Sequence, residues 1–171
     1  MALVRDVPDF PEPGVVFKDI TPLLADATAL ALVHDEIAEP FAGDGVDIVA
    51  GIEARGFMLG PPVAERLGVG FVPLRKAGKL PWHTRSVSYD LEYGRDTIEV
   101  HADAIAPNAR VLIVDDVLAT GGTAAAAGEL VVCSGGEVAG IAVLLELVFL
   151  GGRERLDGRR VHSVLQVEGG G

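Results

Sequence analysis

The sequence predicts an α/β fold with a mainly parallel, twisted sheet flanked by helices, and three observations predict it. Apolar strand-like runs alternate with helix-like segments along the whole chain. The run "RVLIVDDV", residues 110–117, is almost continuously apolar, as a strand covered on both faces requires. Two strand-like runs end in turns, "EARG" and "ATGGT", each leading into a helix-like stretch. No internal repeat or linker divides the 171 residues, so one domain over residues 1–171 is expected.

Taken in order, residues 8–22, "PDFPEPGVVFKDITP", are proline-punctuated and cannot form one long helix. Asp26 can cap a helix on which Leu30, Val33, Ile37 and Phe41 recur at helical spacing. "VDIVAGI" reads as a buried strand, followed by a helix ending near Leu67 whose Pro61 and Pro62 must sit in its first turn or kink it. "VGFVPLRK" is a second strand. Residues 77–96 are polar, glycine-bounded and long for a loop, which marks a functional or mobile segment. "DTIEVHADAI" alternates like an edge strand. "TAAAAGELVVCSGG" is a helix closed by glycines, and "EVAGIAVLLELV" and "RVHSVLQV" supply the last strands. The terminal residues 168–171, "EGGG", are expected to be disordered.

Composition narrows the function classes. The net charge of −11 argues against non-specific nucleic-acid or acidic-membrane binding, while leaving room for a small anion held by local charge and backbone N–H groups. Cys133 is the only cysteine, which excludes an internal disulfide and a cysteine-based zinc site; it reads as a small buried thiol in a helix. The prolines at 8, 11 and 13 precede any apolar run long enough for a leader. The greasiest stretch, "GIAVLLELVFLGG", is interrupted by Glu146 and is too short to span a bilayer. A soluble, cytoplasmic protein is therefore expected.

Residues 111–123, "VLIVDDVLATGGT", pose a conflict of charge. A strand end carrying Asp115 and Asp116 runs into a glycine turn at the start of a helix, where free N–H groups and the helix dipole favour phosphate. Gly121 and Gly122 let the backbone come close, and the Thr120 and Thr123 hydroxyls can donate further bonds. No nucleoside-triphosphate loop signature is present. A sugar phosphate reconciles the two features: its hydroxyls donate to the acids while its phosphate sits on the loop. A Mg²⁺ held by the same ligand would offset the charge, and the acids would stabilise an oxocarbenium-like transition state. A plain strand–turn–helix with two solvated aspartates, or a receiver-type acid pocket, is the alternative.

This stretch resembles the phosphoribosyl-diphosphate motif of type I phosphoribosyltransferases: apolar strand, acid pair, two small or apolar residues, then T-G-G-T. "FPEPGVVFKDITPLL", "GIEARGFMLGPPVA" and "RKAGKLP…YDLEYG" precede it in order, and the set is similar to the adenine phosphoribosyltransferase family from Phe10 to about Leu156. The resemblance implies the type I phosphoribosyltransferase fold, with a small N-terminal hood at about residues 8–22 and a mobile lid at about 76–96. It implies transfer of the 5-phosphoribosyl group from 5-phosphoribosyl 1-diphosphate to adenine, giving AMP and pyrophosphate, with Mg²⁺ and in a homodimer.

The same resemblance distributes the roles. Ala119, Thr120, Gly121, Gly122 and Thr123 would hold the 5′-phosphate, and Asp115 and Asp116 the ribose hydroxyls, with a water-bridged contact to the Mg²⁺ that the diphosphate carries. Arg55, Lys76 and Lys79 would hold the diphosphate, an arginine fork suiting two phosphate oxygens at once; an Arg55–Glu53 ion pair is the alternative. Val16, Phe17 and Lys18 of the hood and Val117 would bind adenine. Glu92 would handle the purine proton, and Tyr93 would close with the lid. The family usually has arginine where this chain has Lys18, which loses a planar stacking surface that Trp82 of the lid could replace. A phosphoribosyltransferase for another purine, or a nucleotide-sensing regulator without catalysis, keeps the same fold.

Overall fold

The computed structural model describes residues 2–90 and 94–169. An antiparallel hairpin of β1 (Arg5–Pro8) and β2 (Val16–Asp19) opens the chain and pairs Asp6 with Lys18 and Val7 with Phe17. It extends the expected hood three residues towards the N-terminus. A single helical turn, α1 (Thr21–Leu24), leads to α2 (Ala27–Ala38), where the Asp26 carboxylate accepts the N–H groups of Thr28 and Ala29 at 3.0 and 2.9 Å. Phe41 falls just beyond α2, in a 3₁₀ turn, and is 1% exposed.

Among the described residues the main sheet has seven strands. These are β3 (Ile48–Ile52), β4 (Gly70–Lys76), β5 (Thr84–Asp90), β6 (Arg95–His101), β7 (Arg110–Leu118), β8 (Glu137–Leu147) and β9 (Val161–Val167). Their order is β5-β6-β4-β3-β7-β8-β9, parallel from β4 to β9, with β6 antiparallel to both β4 and β5. α3 (Gly56–Leu67) follows β3, and α4 (Gly122–Cys133) follows β7.

The apolar run in β7 is explained by two cores. Val111 and Ile113 face one side, with Ala127, Leu130 and Val131 of α4; Leu112 and Val114 face the other, with Ile37 of α2 and Leu59 and Val63 of α3. Each fully buried Leu or Ile on this strand contributes about 1.5–3 kcal/mol, so helices on both faces hold the strand end rigidly. β7 therefore delivers its acid pair to a fixed place at the carboxyl edge of the sheet.

Pro61 and Pro62 lie inside α3, beyond its first turn, which removes the first of the two placements the sequence allowed them. Three readings of the sequence need correction. In the segment expected as a polar lid loop, residues 84–90 and 95–96 are strand, because β5 and β6 pair along their full lengths. β6 is not the edge: it lies between β5 and β4, and its alternation reflects one face packed on the core, through Ile98 and Val100. Cys133 ends α4 and is exposed, since the core-facing positions of that helix are taken by Leu130 and Val131.

Candidate active site

A cleft of about 480 Å³ opens at the carboxyl ends of β3 and β7. Its lining combines the turn after β3, the end of β7, the loop into α4, Lys76 at the end of β4, and Tyr89 and Asp96 from the β5–β6 hairpin. The turn reaches β7 because residue 56 is glycine: a Cβ there would lie 2.6 Å from the Val114 carbonyl oxygen. With α3 pressed against β7, Arg55 places its Nε 2.5 Å from Asp116 Oδ2. Asp116 is 5% exposed, so this pairing compensates a buried charge. Arg55 also lies over the Phe17 ring, 5.4 Å from its centroid, and so joins the hood to the acid pair.

The two acids are not equivalent. Asp115 accepts the Asp116 N–H at 2.8 Å. Burial, and then the neighbouring Asp116 carboxylate, push the Asp115 carboxyl well above the usual carboxylate range.

That loop runs from Ala119 to the first turn of α4. Gly121 is the N-cap at φ 82°, a left-handed conformation that an L side chain rarely adopts. The first residues of α4, whose N–H groups lack partners within the helix, line the cleft. The back of the loop is formed by a segment far away in sequence. A Cβ on Gly121 would lie 2.3 Å from the Gly152 carbonyl oxygen, and one on Gly152 would lie 2.2 Å from that of Ala119. Gly152 opens a 3₁₀ segment, Gly152–Leu156, fixed by a fork from Arg153 to Glu146 at 2.6 and 2.7 Å. Glu146 is 4% exposed and also accepts the Ser163 hydroxyl at 2.7 Å. The Arg153 bonds, opposed by burial and helped by Ser163 and Gln166, hold its carboxyl below the usual range.

Cations on the opposite side are all paired with acids. Glu53 accepts Lys76 N–H at 3.0 Å and Arg75 Nε at 3.4 Å, and it pairs with the Lys79 ammonium. Against burial, which pushes the other way, these donors hold the Glu53 carboxyl down. The Lys76 ammonium lies 3.1 Å from Asp96.

A family model described as a phosphoribosyl transferase domain matches residues 18–163. The adenine phosphoribosyltransferase of Thermobifida fusca is 65% identical over 153 residues, covering 90% of this chain and 87% of the relative. The chain belongs to the adenine phosphoribosyltransferase family. Among solved structures, the adenine phosphoribosyltransferase of Thermoanaerobacter pseudethanolicus superimposes with a TM-score of 0.94 at 51% identity, covering 97% of this chain and 96% of that one. The Giardia lamblia enzyme, complexed with 9-deazaadenine, gives a TM-score of 0.92 at 43% identity, covering 98% and 96%. These comparisons bear out the family, the type I fold and the family's activity as read from the sequence.

Within this family member the cleft gathers Arg55, Lys76, Asp115, Asp116, Val117 and the whole loop from Ala119 to Thr123. Lys79 is not among the described residues lining it, although its ammonium pairs with Glu53, which does line it. Val16, Phe17 and Lys18 also stand outside that lining. Lys18 pairs with Asp6 across the hairpin at 2.7 Å, and Phe17 reaches the cleft only through Arg55. The Arg55–Glu53 pair considered from the sequence is replaced by Arg55–Asp116. Trp82 is 63% exposed with its edge against His83, 5.2 Å between centroids. Glu92 and Tyr93 lie outside the described residues. Tyr89, Asp96 and Gly152 carried no signal of their own, since only strand pairing and a long-range backbone contact bring them to the site.

Proposed function

We propose that this cleft carries out the family reaction, transfer of the 5-phosphoribosyl group of 5-phosphoribosyl 1-diphosphate to adenine. The single observation that carries the residue-level reading is convergence. An acid pair, a helix-start glycine loop and a guanidinium meet in one cavity large enough for a sugar phosphate. Ala119, Thr120, Gly121, Gly122 and Thr123 hold the 5′-phosphate through backbone N–H groups and hydroxyls. Asp115 and Asp116 accept the ribose hydroxyls, and their negative charge favours the oxocarbenium-like centre. Arg55 and Lys76 take the diphosphate, with Lys79 joining if it leaves Glu53. Val117 and the hood residues Val16, Phe17 and Lys18 border the base.

In the transfer the C1′–oxygen bond to diphosphate breaks and a bond from purine N9 to C1′ forms. The N9 proton passes to Glu92, and Tyr93 closes over the site. The donor set fits a Mg²⁺ that arrives with the diphosphate. Asp115 and Asp116 offer two carboxylates, whereas among the described residues no group of three or more His, Cys, Asp or Glu could cage an ion alone. The ion would neutralise charge on the leaving group. A homodimer and a cytoplasmic setting belong to the same proposal; among the described residues no helix is long and apolar enough to cross a membrane.

The test is nucleotide formation with adenine, hypoxanthine, guanine and xanthine in parallel, with phosphoribosyl diphosphate and with or without Mg²⁺. AMP should form in the adenine arm alone and only with the ion. An oxopurine product would overturn the assignment of the hood, and full activity in chelator would overturn the role of Mg²⁺.

A further inference from the structure

Asp96 lines the cleft, carries negative charge and has no part in the acid motif, so a site for a polyanion should be better without it. Its surroundings show what it does there. The carboxylate is anchored on the hairpin: it accepts the Thr97 N–H at 2.8 Å, and Tyr89 is its cross-strand partner in the register. Tyr89 in turn touches the phosphate loop, with its hydroxyl 3.4 Å from Thr123 Oγ1. Asp96 is thereby held on the side away from solvent, its side chain 22% exposed, while its partner Lys76 is 59% exposed on a long, flexible stem. Of the two ions, the acid is the fixed one and the ammonium the one able to swing. Asp96, by its bond and its charge, also raises the Lys76 ammonium above its ordinary pKa.

We propose that Asp96 is a positioning residue: it holds the Lys76 ammonium between turnovers, yields it to the diphosphate, and reclaims it as pyrophosphate leaves. This rests on the reading that Lys76 serves the diphosphate. Binding is then an exchange of one anionic partner for another, and the carboxylate left behind repels the diphosphate that displaced it. Asp96 weakens the grip on donor and product alike and eases product release. Glu53 does not fit this role, because three donors pin it and two of them belong to the strand end itself.

The experiment measures pyrophosphate binding to the full chain by calorimetry and as product inhibition. Asp96→Asn keeps an amide oxygen to accept the Thr97 N–H while removing the charge, and Asp96→Ser is a second route to the same loss. Both should tighten pyrophosphate about three- to tenfold, the scale of a partly exposed ion pair and the matching repulsion. Asp96→Glu should restore the wild-type value, and AMP affinity should hold in all three. A merely structural role for Asp96 predicts the reverse, weaker binding of both ligands. Lys76→Ala separates the two ways of failing. If it weakens pyrophosphate while Asp96→Asn leaves binding unchanged or weaker, the exchange is wrong and the site reading stands. If Lys76→Ala has no effect on pyrophosphate, the site reading itself is wrong and the exchange falls with it.

Discussion

Asp116 sits at the end of a strand with packed helices on both faces and is 5% exposed, whereas Lys76, on the other side of β3, ends its strand with a side chain 59% in solvent. The first wall of the cleft, β7 and α4, is made of groups that cannot move far: one buried and one half-buried acid, a glycine turn, a backbone contact at its rear. The second wall, β4 with the β5–β6 hairpin, is made of ion pairs between long side chains. The contrast teaches how a site for a charged sugar can be both placed and adjustable. On the proposed assignment the sugar and its 5′-phosphate would meet a rigid frame, and the departing diphosphate would meet side chains that change partners.

If that division holds, damage to the rigid wall should cost most. Asp116→Asn should lower kcat by ~10²–10³, the scale for one preorganised electrostatic partner, read in steady-state assays at saturating substrates. A variant with near wild-type turnover would remove Asp116 from the rigid machinery. Gly152→Ala comes next. Its Cβ would collide with the Ala119 carbonyl, shifting the phosphate loop and lowering kcat/KM by about 10², the effect of an ångström-scale misplacement. Normal AMP affinity in this variant would show that the loop does not depend on its rear contact.

Glu146→Gln tests the support one layer further out. It should destabilise the fold by about 2 kcal/mol in thermal or denaturant melts, less than a fully buried pair because Arg153 keeps part of its guanidinium in water. The pH dependence has a definite sign. The Glu146 carboxyl titrates below the 4.5 of the free side chain, so its contribution is complete above about pH 5 and is lost as the pH falls through the folded value. Wild type should therefore lose stability on acidification more steeply than Glu146→Gln. Parallel curves would assign the acid sensitivity elsewhere. The smallest effect, a few-fold gain in pyrophosphate affinity for Asp96→Asn, belongs to the adjustable wall.

The same contrast governs how much the sequence could reveal. Everything on the rigid wall that is contiguous was legible: the apolar run of β7, the acid pair and the glycine loop share one short stretch, and each residue type announces its chemistry. Arg55 was legible in kind but not in partner, because its reach to Asp116 depends on how closely α3 packs on β7 at Gly56. The polar stretch after β4 was misread as loop because alternation with many charged residues looks the same on a covered strand and in solvent. Asp96 and Tyr89 become cleft residues only through their cross-strand register. Gly152 offered nothing beyond one glycine among 22, since its value lies in a backbone contact.

That backbone contact bears on the order in which the protein can be assembled. The phosphate-loop letters end at Thr123, yet the wall behind them arrives only with Gly152, after β8 has been laid beside β7 and Arg153 has found Glu146. A chain emerging from synthesis as far as Cys133 would possess the whole motif and still lack the surface against which it is shaped. The loop after β7 is thus completed only by residues far along the chain, and a fragment chosen for its motif would carry the signature without the wall behind it.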